Sequence, residues 1–326
     1  MNVTVLGAGA WGTALAKTLQ EGAHVVTLWG HDPAKLAAMQ AKGRNEPCLP
    51  GIALPRDLIF VPDLASAVAT ADCLVVAVPS KAFREVTARL ADYSGVVVSV
   101  TKGIEHDTGL TMCGVLGETI PGARRAALSG PSFARELALG IPTAMVAASP
   151  EMAVAEAVQR LFHRPFLRVY TGTDLRGVEL GGALKNVIAI AAGVSDGLRF
   201  GDNSKAALIT RAMAEIRRLG VAAGAQGDTF TGLSGLGDLT VTCFSRLSRN
   251  REFGERLGRG EKLADVIAGM TAVAEGYPTT RSAYLLARRL DVMTPVIDEV
   301  YHMLYEGKNL ALGVRDLMMR ESKPED

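Results

Sequence analysis

The chain opens with a β-branched run, Val3-Thr4-Val5-Leu6, that breaks into Gly7-Ala8-Gly9-Ala10-Trp11-Gly12 and continues as a helical pattern over Thr13–Gln20. A G-x-G-x-x-G hexapeptide says little by itself in a chain with 35 glycines. Between a strand and a helix, each glycine has a physical task. Gly7 permits the tight turn, Gly9 lets backbone approach a pyrophosphate, and Gly12 allows close helix–strand packing. Ala10 and Trp11 open the helix whose positive end faces those phosphates, and they join the predicted dinucleotide contacts. The alternative is a simple glycine turn.

The second apolar run, His24–Trp29, leads into Gly30-His31-Asp32. NAD-selective sites usually place a carboxylate here to accept a hydrogen bond from the ribose 2′-hydroxyl. The position falls on Gly30, followed by His31. No carboxylate then repels a 2′-phosphate, and His31 is able to donate to one. This tilts the expectation toward NADPH and leaves NADH open. The alternatives are an Asp32 turned inward and a plain surface histidine.

Further short runs follow at Ile59–Val61, Cys73–Val78, Val96–Val100 and Ala126–Ser129, with helical stretches such as Pro33–Ala41 between them. Near-continuous apolar strands spaced by helices require a parallel sheet covered on both faces. Thr143–Ala148 and Leu167–Tyr170 extend it. Residues 1–172 are therefore expected to form an α/β, Rossmann-type doubly wound sheet. From residue 173 the texture becomes Ala-, Leu- and Arg-rich, as in Val178–Ala192, Ser204–Leu219 and Ala283–Leu290, and its period near 3.6 predicts an all-α domain over 173–326. Gly-rich breaks are expected at Gly193–Gly201 and Gly232–Gly237.

Composition removes other classes. With 35 Lys+Arg against 34 Asp+Glu, the net charge of +1 offers no basic excess for nucleic acid. The four cysteines are far apart, and no His/Cys spacing suits a metal, so neither disulfides nor a metal site is expected. No 18 apolar residues follow one another, so no membrane span is predicted, and the expected location is the cytoplasm.

Several polar residues stand out against apolar surroundings. Between Gly177 and Gly193 the only charges are Glu179 and Lys185. A lysine there must snorkel, pair, or have its pKa lowered by desolvation, and the last would suit acid/base work on a carbonyl. Lys102 follows the Val96–Val100 run, at a strand end where open α/β sheets gather ligands; the alternative is an exposed strand-end lysine. Asp238, alone among the glycines of Gly232–Leu239, either holds a lysine or a substrate hydroxyl, or bonds its own backbone in a turn. Ser245–Arg251 carries three arginines among hydrogen-bonding side chains, as a phosphate grip or as a solvated face. Pro131, after Gly130, is expected at a first helical position.

These motifs, in order, resemble the bacterial NAD(P)-dependent glycerol-3-phosphate dehydrogenases. The resemblance rests on Gly7–Ala16, Trp29–Asp32, Val78–Ser80, Thr101–Ile104, Ser129–Ala134, Ala183–Gly193, Gly232–Leu239, Ser248–Arg251 and Ala274–Gly276, and spans Gly7 to about Gly313. It implies interconversion of dihydroxyacetone phosphate and sn-glycerol 3-phosphate with NADPH or NADH, feeding phospholipid synthesis. It implies Lys185 as the catalytic lysine, supported by Lys102 and Asp238. Gly130, Ser132, Asn186, Ser248, Arg249 and Asn250 would face the substrate, and Thr242 would neighbour Asp238. Lys102, Ala134, Arg249, Val273 and Glu275 would line the cofactor beside His31. One departure is Cys48, where relatives often carry an aromatic. A related hydroxy-acid dehydrogenase and a non-catalytic NAD(P)H sensor are the competing readings. A homodimer is one assembly the sequence leaves open.

Overall fold

A computed structural model of the chain describes residues 1–270, 274–321 and 324. Eight strands, β1 (Asn2–Leu6), β2 (Val25–Trp29), β3 (Ile59–Val61), β4 (Cys73–Val76), β5 (Val96–Ser99), β6 (Arg124–Ser129), β7 (Thr143–Ala148) and β8 (Leu167–Gly172), form one sheet in the order β3-β2-β1-β4-β5-β6-β7-β8. Helices α1 (Ala10–Gln20), α2 (Pro33–Lys42), α3 (Leu64–Val68), α4 (Ser80–Ala88), α5 (Met112–Thr119), α6 (Ala134–Ala138) and α7 (Met152–Phe162) connect them. Val3, Val5, Leu15 and Val98 lie in one apolar cluster on the sheet, while Leu6, Leu74, Val97 and Leu116 lie in a second. Alternate residues of one strand feed the two faces, which is why these strands carry almost no polar residues.

The strands from β3 to β6 are parallel, as expected. β7 and β8 do extend the sheet, but β7 runs antiparallel to β6, a reversal not expected from the sequence. The five-residue α6 explains it. A parallel crossover is usually carried by a helix about as long as the strands, and at ~1.5 Å per residue α6 falls far short of the ~20 Å of the six-residue β6 and supplies none. Pro131 does not open that helix either, since α6 begins at Ala134 after an extended Phe133. The order turns back between β1 and β4, so the carboxyl ends of these strands flank a crevice of the kind that holds ligands in open α/β sheets.

The remaining helices are α8 (Leu175–Gly197), α9 (Asp202–Ala222), α10 (Asp238–Phe244), α11 (Arg249–Gly258), α12 (Leu263–Gly269), α13 (Gly276–Arg289), α14 (Pro295–Tyr305) and α15 (Leu310–Met318). Of the described helices only α8 is long and apolar enough to cross a bilayer, and it is instead buried inside the protein. The first expected break falls at residues 198–201, between α8 and α9, and is shorter than the sequence suggests. Gly193 and Gly197 lie within α8, because a β-carbon there would stand 2.0 Å from the Arg251 carbonyl oxygen and 2.4 Å from that of Glu255 on α11. Gly254 and Gly258 answer from α11, where β-carbons would stand 2.0 Å from Ile190 O and 2.6 Å from Val194 O. These glycines serve close helix crossing, not chain breaking. Gly232–Gly237 likewise contains a π-helical turn, Leu233–Gly237, that runs straight into α10.

Candidate active site

Gly7 has φ +120°, and a β-carbon on it would lie 2.7 Å from the Ala77 carbonyl oxygen. At Gly12 a β-carbon would fall 1.9 Å from Gly7 O, whereas at Gly9 it would meet nothing within 4 Å. The turn is thus tight where chain meets chain and open at its middle glycine. The first turn of α1 has Gly9 as N-cap and no side-chain capping bond, so its leading N–H groups stay available to an anion. The Trp11 indole N–H is buried with no partner. These features fit a dinucleotide pyrophosphate. Asn45 closes the loop over the turn, donating to Ala8 O (3.1 Å) and to Thr13 Oγ1 (2.8 Å). Cys48, on that loop, is exposed. Asp32 does not turn inward, because it caps α2 by accepting from the Lys35 N–H at 3.1 Å. Gly30 is buried, with the Ala8 methyl 3.0 Å from where its β-carbon would be, and His31 is exposed beside it.

Where β5 and β6 end, α8 and α10 meet them. Asp238 is almost wholly buried and lies between two ammonium groups: Lys185 Nζ donates to Oδ1 at 2.5 Å and Lys102 Nζ donates to Oδ2 at 2.6 Å. Lys185 also donates to Thr242 Oγ1 (2.7 Å), and Lys102 to Gly130 O (2.9 Å) with Ser132 Oγ at 3.5 Å. Gly182 leaves room for this approach, since a β-carbon on it would stand 2.7 Å from Ser129 Oγ and 3.5 Å from Lys102 Cγ. Burial pushes the Lys185 ammonium down to about 8, with Lys102 adding to the fall and Asp238 opposing it. Of the readings open for Lys185, pairing and a lowered pKa therefore both apply. Asp238 bridges lysines and is not a self-bonded turn residue. The group carries one carboxylate and two cations, a setting for an anionic substrate and for proton exchange near neutral pH.

Ser248 caps α11 by accepting from the Arg251 N–H at 3.2 Å. Arg249 projects exposed from the first turn of that helix and makes no salt bridge among the described residues. Arg251 is committed elsewhere, to Asp196 at 2.6 Å, and Arg246 is exposed. Asn186 and Asn250 are buried and joined: Asn250 Nδ2 donates to Asn186 Oδ1 at 2.9 Å. Asn186 donates to Lys102 O at 3.4 Å, and Asn250 Oδ1 accepts from the Gly276 N–H at 2.9 Å.

Glu275 faces the nucleotide side, where Ser80 Oγ donates to it at 2.7 Å, and burial raises its carboxyl above the usual range. Ala134 is half-buried at the start of α6. Val273 lies outside the described residues. Reading the sequence missed Ser80, Asn45 and Gly276. Their partners stand 195, 37 and 26 residues away, so no local spacing could have announced them.

Residues 2–155 match the N-terminal family model of NAD-dependent glycerol-3-phosphate dehydrogenase, and residues 174–314 match its C-terminal counterpart. The chain is 52% identical over 329 residues to the glycerol-3-phosphate dehydrogenase [NAD(P)+] of Geobacter sulfurreducens, covering 99% of this chain and 98% of the relative. It is 49% identical over 332 residues to that of Chlorobium luteolum, covering 100% and 99%. The crystal structure of glycerol-3-phosphate dehydrogenase from Coxiella burnetii superposes with a TM-score of 0.95 at 35% identity, covering 98% of this chain and 99% of that one. The chain belongs to the NAD-dependent glycerol-3-phosphate dehydrogenase family.

Proposed function

We propose that this protein reduces dihydroxyacetone phosphate to sn-glycerol 3-phosphate, reversibly, with NADPH or NADH. The observation that carries the reading is Lys185, a buried lysine held by Asp238 and lowered to about 8 inside the cleft where the sheet meets α8. A sensor would have no use for such a group.

The reduced nicotinamide, when bound, supplies a hydride to C2. Gly7, Gly9, Ala10, Trp11 and Gly12 would hold the pyrophosphate end, and Ala134 and Glu275 would line the rest. Lys185 donates its proton to the C2 oxygen and takes it back in the oxidative direction. Asp238 keeps the ammonium aimed. Lys102 attracts the anionic substrate and steadies the Gly130–Ser132 turn, to which it already bonds. Arg249, exposed on the first turn of α11 and within the field of the buried Glu275 carboxyl, takes the phosphate with Ser248 and Asn250 at its side. The absence of a carboxylate at Gly30, with Asp32 used as a cap, supports an NADPH preference through His31.

The boundary between nucleotide-binding and helical domains is proposed at 172/173, between the end of β8 and the start of α8. We also favour a cytoplasmic homodimer, with exposed Leu236, Phe244 and Leu247 as the apolar contact and light scattering as its check.

The function is tested by following loss of reduced-nicotinamide absorbance with dihydroxyacetone phosphate, using NADPH and NADH in parallel. Rapid oxidation, faster with NADPH at subsaturating cofactor, is expected. Protein that binds cofactor yet oxidises neither would refute the assignment.

A further inference from the structure

Three hydrogen bonds, two buried and one part-buried, run head to tail through the middle of the molecule. The Gly276 N–H donates to Asn250 Oδ1 (2.9 Å), Asn250 Nδ2 to Asn186 Oδ1 (2.9 Å), and Asn186 Nδ2 to the Lys102 carbonyl oxygen (3.4 Å). Each link lies in, or one residue from, a group given a role above. Gly276 follows Glu275, Asn250 follows Arg249, Asn186 follows Lys185, and the last acceptor is Lys102 itself. The chain therefore ties together the nucleotide-facing start of α13, the phosphate-facing tip of α11, the lysine helix α8 and the end of β5. Aligned amide dipoles in a buried setting strengthen one another, and a missing member leaves a buried polar group unsatisfied.

The joint has no slack. A β-carbon at Gly276 would stand 2.5 Å from Asn186 O, 2.9 Å from Asn250 Oδ1 and 2.9 Å from Ile190 Cδ1. Motion of the Glu275 segment is thus passed to Asn250, and motion of Arg249 to Gly276. Whichever ligand binds first fixes part of the frame that the second requires, so the second binds more tightly.

We propose that the Gly276–Asn250–Asn186–Lys102 chain is a positioning device that makes nucleotide and phosphate binding cooperative. This rests on the function proposed above and assigns Gly276 and Asn186 a role through their neighbours.

The test is an NADPH fluorescence titration of the full chain, with and without saturating inorganic phosphate, at ionic strength balanced with sodium chloride. For the unaltered protein, phosphate is expected to tighten NADPH binding by at least about five-fold. Gly276→Ala is expected to bring that ratio close to one while NADPH affinity without phosphate changes by less than about three-fold. Should Gly276→Ala fail to fold, the same change in an Ile190→Val background, which removes the Cδ1 2.9 Å from the new methyl, serves instead, and the ratio should again collapse. A purely structural role would lower melting temperature and leave the ratio intact. A ratio near one in the unaltered protein, or an unchanged ratio in the variants, overturns the device. No NADPH binding at all overturns the proposed function with it.

Discussion

At the scale of single residues, Lys185 concentrates both the chemistry and a pH signature. Its ammonium is lowered to about 8 mainly by burial. Reduction needs the protonated form, so the rate of dihydroxyacetone phosphate reduction should fall as pH rises through about 8, while glycerol 3-phosphate oxidation rises through the same range. Parallel pH profiles in the two directions check this, and profiles that move together would contradict it. Lys185→Ala should cost at least about a hundred-fold in turnover while leaving NADPH affinity nearly intact. Weakened cofactor binding with ordinary turnover would remove Lys185 from its role. This residue was legible in the sequence because a lysine is conspicuous in an apolar helix. Asp238 was legible only through the resemblance, since by itself the same residue in a glycine-rich stretch serves equally as a turn. Its two lysines lie 53 and 136 residues away, and only folding joins them.

At the scale of elements, the sequence yields period and burial more readily than direction. The strands follow from near-continuous apolar runs and the helical second half from a period near 3.6. The antiparallel turn of β7 depends on the length of α6, which a five-residue helix hides in a Gly- and Pro-containing stretch. Glycines mislead most where they serve packing. Gly193, Gly197, Gly254 and Gly258 let α8 and α11 touch through their backbones, and that contact fixes the helix of Lys185 against the helix of Arg249. Adding a methyl at Gly254 forces a carbon to within 2.0 Å of the Ile190 carbonyl oxygen, and backbone cannot yield cheaply. Gly254→Ala should destabilise the fold by about 2 kcal/mol or more, read from the midpoint of a urea melt. A midpoint within error of the unaltered protein would show the crossing to be looser than described.

At the scale of the whole molecule, stability carries its own pH dependence. Glu215 on α9 is buried, and its carboxyl oxygens accept from the Val296 N–H at 2.9 Å and the Ile297 N–H at 2.8 Å, capping α14 from another element. Burial pushes this carboxyl up to about 7. The folded protein holds that proton more tightly than the unfolded chain does. The contribution is therefore full below the ordinary carboxyl range and is lost as pH rises through about 7. Glu215→Gln cannot ionise, so its melting temperature relative to the unaltered protein should rise by about 2 °C or more between pH 5 and pH 8. An equal gap at both values would contradict the assignment. No feature of the sequence marked Glu215, because its value lies in a helix end some eighty positions away.

The central placement of α8 also bears on how the protein is made. The helices that pack most extensively on it (α9, α10, α11, α13 and α14) come later in the chain. A ribosome adding ~5–20 residues per second leaves this apolar segment without its partners for roughly ten seconds. Throughout that interval the nascent chain displays a stretch that passes for a membrane span by length and composition. The helix that carries Lys185 is thus a segment whose shelter by chaperones newly made copies are expected to need.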